Sequence, residues 1–168
     1  NETWIRELYG ELEAASNKKI KKSLAAFNTA CASGGLFIRV KQGSARRIVI
    51  NYIGKRLNSN SIIQHLIRLD ADTNLTLIEK GEGADRSSRV TEIDLLPNAC
   101  LNHIRFFGNK VISDFLSQIF VRQATNSSYK EFSLVINNEF IRNEFYISLE
   151  GEESKVSLSG ANLGAENN

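Results

Sequence analysis

The sequence predicts a mainly β chain, a strand-built body preceded by a short helical lead. Two observations carry that prediction. Apolar residues recur at helical spacing as far as Cys31, and from Leu36 the period shortens toward the alternation of strands. Ten strand-length segments rich in β-branched and large apolar residues then follow in about 130 residues, with no convincing long helix between them.

In the lead, Trp4, Ile5, Leu8 and Leu12 line one side of a helix, Gly10 interrupts it, and Ile20, Leu24, Phe27 and Cys31 continue the stripe beyond the polar Ser16-Asn17. This spacing predicts two short helices or one broken helix, with Lys18, Lys19, Lys21 and Lys22 on the wet side of an amphipathic surface. Ser33-Gly34-Gly35 supplies backbone that ends helices, so residues 1–33 are expected to form the lead and residues 34–168 the β body.

The strands are expected at 36–40, 47–53, 62–69, 75–78, 90–95, 101–107, 115–122, 132–136, 145–149 and 156–158. Asp114 to Gln123 also fits a helical turn, because its apolar residues do not alternate cleanly. Gly81 and Gly83 are expected in a flexible turn with Asp85 and Arg86 between two strands. Asn-Gly and Pro-Gly hairpin signals are missing, and Pro97 is the only proline. Asp72 to Ile78 aligns with Asn98 to Ile104 at an offset of 26, about the length of one solenoid coil, and the 17 asparagines suit solenoid corners. Pattern alone leaves solenoid and sandwich both open.

Composition narrows the class of protein. With 42% apolar and 24% charged residues the chain is globular, and no run approaches the roughly 18 apolar residues of a membrane span. Cys31 and Cys100 are too few for a disulfide framework and point to a reducing, cytoplasmic setting. The chain has no methionine and begins at Asn1, so it is expected to be part of something longer. Residues 1–60 carry 11 basic and 4 acidic groups, an excess of 7, whereas the remainder is net acidic. Arg46-Arg47 and Lys55-Arg56 add to the early lysines, yet no aromatic-interleaved basic stretch accompanies them, and no nucleic-acid partner is expected.

Four stretches taken together are more specific. Leu24 to Ala30 leading into Gly35 to Val40, then Asn74 to Glu79, then Val121-Arg122-Gln123, then Ser133-Leu134 through Arg142-Asn143-Glu144 to Leu149-Glu150-Gly151 and Leu158-Ser159-Gly160, resemble in order and spacing the core of the SufB/SufD family of iron–sulfur cluster assembly proteins, closer to SufD. The resemblance implies a right-handed parallel β-helix. It also implies a non-enzymatic cytosolic scaffold working with a SufB-like protein and a SufC-like ATPase, with an iron–sulfur cluster only transiently in the assembled complex and no cofactor in this chain. The family's C-terminal Cys/His-containing segment and ATPase-contacting helical region have no counterpart here, so those functions are not carried over.

The residues themselves offer few competing chemistries. Metal or cluster ligands would have to come from Cys31, Cys100, His65 and His103, and only Cys100 and His103 are close in sequence. Three apart on a strand, they point to opposite faces; in the repeat His103 takes the place of Leu77, which makes it a satisfied core or corner histidine. Cys31 reads as a small hydrophobe on its helical stripe. No metal, cofactor or catalytic residue is therefore expected. A carbohydrate-active β-helix enzyme would draw on Asp70 with Asp72 or Glu92 with Asp94, pairs that solvated strand faces also produce, so that replacing Glu92 should do little. A generic β-solenoid interaction module is the third reading; it would associate with itself or a SufB-like partner through an open end or a wall, with Phe115 to Val121 as the contact.

Overall fold

The computed structural model describes residues 3–17, 21–42, 45–54, 59–81, 83–108, 114–136 and 140–164. Three short helices, α1 (Thr3–Leu8), α2 (Glu11–Asn17) and α3 (Ser23–Cys31), precede ten strands. These are β1 (Phe37–Val40), β2 (Ala45–Tyr52), β3 (Asn60–Leu69), β4 (Asn74–Gly81), β5 (Arg86–Leu95), β6 (Cys100–Phe107), β7 (Asp114–Gln123), β8 (Ser128–Ile136), β9 (Phe140–Leu149) and β10 (Lys155–Leu163). Each expected segment is a strand. The ambiguous segment, β7, looks helical in sequence because both its faces are covered: Phe115, Ile119 and Val121 point into the body while Phe120 points out beneath the helices.

Odd strands form one parallel sheet in the order β1-β3-β5-β7-β9, and even strands form a second in the order β10-β8-β6-β4-β2. The chain therefore winds as a parallel β-helix, each coil giving one strand to each sheet. Consecutive strands lie in different sheets, which is why hairpin turns are missing from the sequence. Register advances by 26 to 29 residues per coil, from Asn74 opposite Cys100 to Phe37 opposite Leu66. The sequence repeat is this register, since Leu77 stands opposite His103 and Ile78 opposite Ile104.

The fully described corners from odd to even strands are tight and alike. Asp72, Asn98, Asn126 and Glu153 take the same left-handed backbone position in successive coils, with φ of 58°, 61°, 54° and 58°. Asn and Asp tolerate that conformation better than other side chains do. Their side chains also stack: Asn126 Nδ2 donates to Asn98 Oδ1 at 2.9 Å, and Asn98 Nδ2 donates to Asp72 Oδ1 at 2.8 Å. The opposite corners vary in length. There Gly108, at φ +118°, passes so close to β8 that a Cβ would sit 1.9 Å from the Ile136 carbonyl oxygen. Gly81 and Gly83, both at positive φ, lie at another of these corners, with Arg86 opening β5.

Inside the coils the half next to the tight corners is aliphatic, built from rows such as Leu75 and Leu101 on one sheet and Ile67, Ile93 and Val121 on the other. The helical lead lies on the outer wall of the odd-strand sheet, where Trp4, Leu8, Leu12 and Ala25 pack on Leu66, Val90 and Phe120. The lead departs from expectation in two ways. α3 buries Ala25 and Asn28 and leaves Leu24, Phe27 and Cys31 exposed, because a wall already filled by bulky side chains admits only its small face, and Asn28 Nδ2 donates to Ser88 Oγ at 2.9 Å. Lys22 is not on a wet side. It is buried, its Nζ donating to the Ser16 carbonyl at 2.9 Å and standing 4.3 Å over the Tyr146 ring. Lys21 is exposed, and Lys18, Lys19, Ile20, Lys55 and Arg56 fall outside the described residues. The expected contact stretch Phe115 to Val121 is largely occupied, with Phe115, Ile119 and Val121 in the core and Phe120 under the lead, while Leu116 is half-buried. Among the described residues no helix is long and apolar enough to cross a membrane.

Candidate functional site

The inward residues of each strand alternate, so the run that starts Leu75, Leu77 continues with Glu79, and Leu101, His103 continues with Arg105. The half of the interior next to the variable corners is thereby ionic. Glu79 on β4 is its centre, 2% exposed, and accepts from three groups: the Tyr52 hydroxyl at 2.8 Å, Arg89 Nη1 at 3.0 Å and His103 Nε2 at 2.6 Å. Burial alone would raise its carboxyl, but the His103 hydrogen bond and the charges of Arg89 and Arg105 hold it well below the usual carboxylate range. It stays ionised.

His65 completes this cluster from β3. Its Nδ1 accepts from the Leu36 backbone N–H at 3.0 Å, so the neutral ring carries its proton on Nε2 and donates to the Tyr52 hydroxyl at 2.8 Å. Burial, helped by the nearby Arg89 charge, pushes His65 down to about 4, and the ring is neutral near pH 7. Burial and the Glu79 charge raise the Tyr52 hydroxyl, which therefore remains a donor. On the other side, His103 Nδ1 lies 3.1 Å from the Tyr129 hydroxyl.

A second buried set follows one coil further. Arg105, 1% exposed, donates from Nε to Glu131 Oε1 at 2.9 Å, from Nη1 to Ser117 Oγ at 2.8 Å and from Nη2 to Ser133 Oγ at 3.0 Å. Ser133 in turn donates to Glu131. Charges buried this completely are tolerated only when paired and hydrogen-bonded. Here each acid is met by a base from another strand, so the groups clamp coils together.

The outer wall beneath the lead holds a third polar construction. Glu92, fully buried, accepts from the backbone N–H groups of Gly10, Leu12 and Glu13 at 2.7, 2.9 and 3.0 Å and from Gln64 Nε2 at 3.1 Å. A carboxylate about 80 residues away thus satisfies the opening turn of α2, whose N–H groups have no partner within the helix. Burial pushes the Glu92 carboxyl up against the opposing pull of these donors. Asp94, 2% exposed, holds Arg68 at 2.8 Å and Arg122 at 2.9 Å. The pair does share one strand face, as its spacing requires, but the face is covered rather than solvated, which corrects the expectation that Glu92 is dispensable.

The remaining candidates are dispersed. Asp70 pairs with Arg39 at 2.9 Å, and Asp72 belongs to the corner ladder. Cys31 is exposed at the end of α3, while Cys100 opens β6 on the outer face of the even-strand sheet, and both are free thiols. Cys100 and His103 do point to opposite faces. His65 and His103, unrelated in sequence, are brought together through Tyr52 and Glu79. Among the described residues no three His, Cys, Asp or Glu side chains converge as a metal-holding group. Glu79, Arg89, Arg105 and Glu131 were not singled out from the sequence; their signal was parity, since each continues an inward row begun by other inward residues.

Two parallel sheets wound from coils of nearly constant length, with an aliphatic half and an ion-paired half inside, define a parallel β-helix protein. Comparison with protein families refines that class. The SufBD core domain of the SUF system for FeS cluster assembly matches residues 48–168, from within β2 through the last coil, and the chain belongs to this family. No curated protein and no solved structure matches the chain.

Proposed function

We propose that the chain is a SufD-like scaffold of the SUF machinery, acting in the cytoplasm through protein contacts with a SufB-like protein and a SufC-like ATPase of the full-length assembly. The observation that carries this reading is the family match across the coils themselves. The side-chain chemistry supports it: the interior acids and bases are spent on one another, and Glu92 and Asp94 hold the lead and its wall together. The cluster is cargo of the assembly, oriented by a rigid body whose surfaces do the recognition.

The last coil offers a contact. Among the described residues β9 and β10 are the edge strands at one end of their sheets, β10 is exposed along its length, and an open cleft lined by Val135, Ile141, Phe145 and Leu158 lies between the sheets. Such an edge invites strand pairing with a SufB-like partner or a second copy. Co-expression with the SufB-like and SufC-like proteins of the same organism, followed by co-purification, tests the proposal. A stoichiometric complex is the expected result. A monodisperse monomer that leaves both partners free would refute it.

A further inference from the structure

The two sheets of the β-helix have different outer walls. The odd-strand wall mixes acids with bases and lies under α1, α2 and α3. On the even-strand wall, register places Val49, Ile78, Ile104 and Phe132 in one row across four strands, with Phe106 and Leu134 beside it. Val49 is 51% exposed, Phe106 40% and Phe132 39%. Flanking this apolar row are exposed cations: Arg47 and Lys130 on one side, Lys80 on the other, and Lys155 at the end of the wall. Among the described residues no outward side chain on this wall is acidic.

We propose that this wall is a docking surface for an acidic amphipathic helix of a partner protein. Charge fixes the sign of the occupant, because an apolar ridge edged by cations complements an apolar stripe edged by carboxylates. The same charge disfavours a second copy bound wall to wall, which would set cations against cations. A helix suits the spacing: its turns rise about 5.4 Å and the strands lie about 4.8 Å apart, so successive turns can place one apolar side chain over each strand of the row. The molecule already uses that arrangement on its other wall, where Trp4 and Leu8, one turn apart on α1, belong to the cluster built on Leu66, Val90 and Phe120. The inference concerns a different surface from the β9–β10 edge and does not depend on the iron–sulfur reading.

The test uses two synthetic 18-residue helical peptides with the same leucine stripe, one flanked by glutamates and one by lysines, titrated by fluorescence anisotropy. The glutamate peptide is expected to bind about tenfold or more tightly than the lysine peptide, and to weaken with added salt. Phe132→Ser should weaken the glutamate peptide about tenfold. Lys130→Glu should weaken it similarly and strengthen the lysine peptide, whereas Glu152→Lys, at a corner off the wall, should change neither. Unaltered far-ultraviolet circular dichroism and Trp4 emission establish that each variant is folded. Equal binding of the two peptides, or binding indifferent to Phe132→Ser and Lys130→Glu, overturns the proposal. So does tighter binding of phosphatidylserine vesicles or a single-stranded RNA oligonucleotide than of the glutamate peptide, or a dimer abolished by Phe132→Ser.

Discussion

Replacing His65 by glutamine should remove a defined part of the chain's sensitivity to acid. Glutamine can accept from the Leu36 N–H and donate to Tyr52, as the imidazole does, but it does not titrate. In the folded state His65 titrates at about 4, against 6.5 for a free histidine. Between those values the unfolded chain binds more protons than the folded one, so stability falls as pH drops through that window. At pH 5 an unfolded-state histidine is almost wholly protonated and the folded one about a tenth, which makes the loss between pH 7 and pH 5 about 2 kcal/mol. Carboxylates titrate in both proteins and cancel in the comparison. Urea unfolding followed by circular dichroism at the two pH values gives the difference directly. If the parent and His65→Gln lose the same stability between pH 7 and pH 5, the buried, neutral His65 inferred from its hydrogen bonds is wrong.

Three further outcomes are expected. Glu92→Ala strips the acceptor from three backbone N–H groups and from Gln64, and should cost about 3 kcal/mol or more; the emission of Trp4, the only tryptophan, should shift to the red as the lead lifts off, while the strand signal persists. Leu75→Asp places a carboxylate at a position 1% exposed among aliphatic rows, a change of several kcal/mol, and should abolish the cooperative urea transition. Glu153→Asn should raise stability by about 1 kcal/mol in thermal melts, by relieving the left-handed strain at φ 58° and extending the side-chain ladder from Asn126.

Much of the fold was legible because each coil spends its apolar residues in short β-branched runs, and because the repeat from Asp72 and from Asn98 is itself one register step. The match of His103 to Leu77 in the repeat marks it as a core or corner histidine, and it is buried. The lead was legible in kind but not in orientation. Leu24 and Phe27 outrank Ala25 and Asn28 in hydrophobicity, yet the space above Val90 and Ser88 decides which face docks. The ionic interior was the largest omission. Acids and bases at alternate positions suggest a solvated face, and nothing local distinguishes Glu79 or Glu92 from an exposed glutamate. Their burial follows from partners 10 to about 80 residues away, Arg89 on the next coil and the backbone of α2.

The buried ion pairs also bear on how the molecule comes apart. A solenoid held only by identical aliphatic rows can lose or gain a coil at little cost, since each repeat contacts its neighbours in the same way. Here Glu79 belongs to one coil and its partners Arg89 and His103 to the next, while Arg105 looks forward to Glu131. Peeling away the last coils would strand Arg105 without Glu131, and deleting a middle one would strand Glu79. The coils are therefore not interchangeable modules. Their unfolding is expected to be all-or-none, without the progressive fraying of a uniform repeat array.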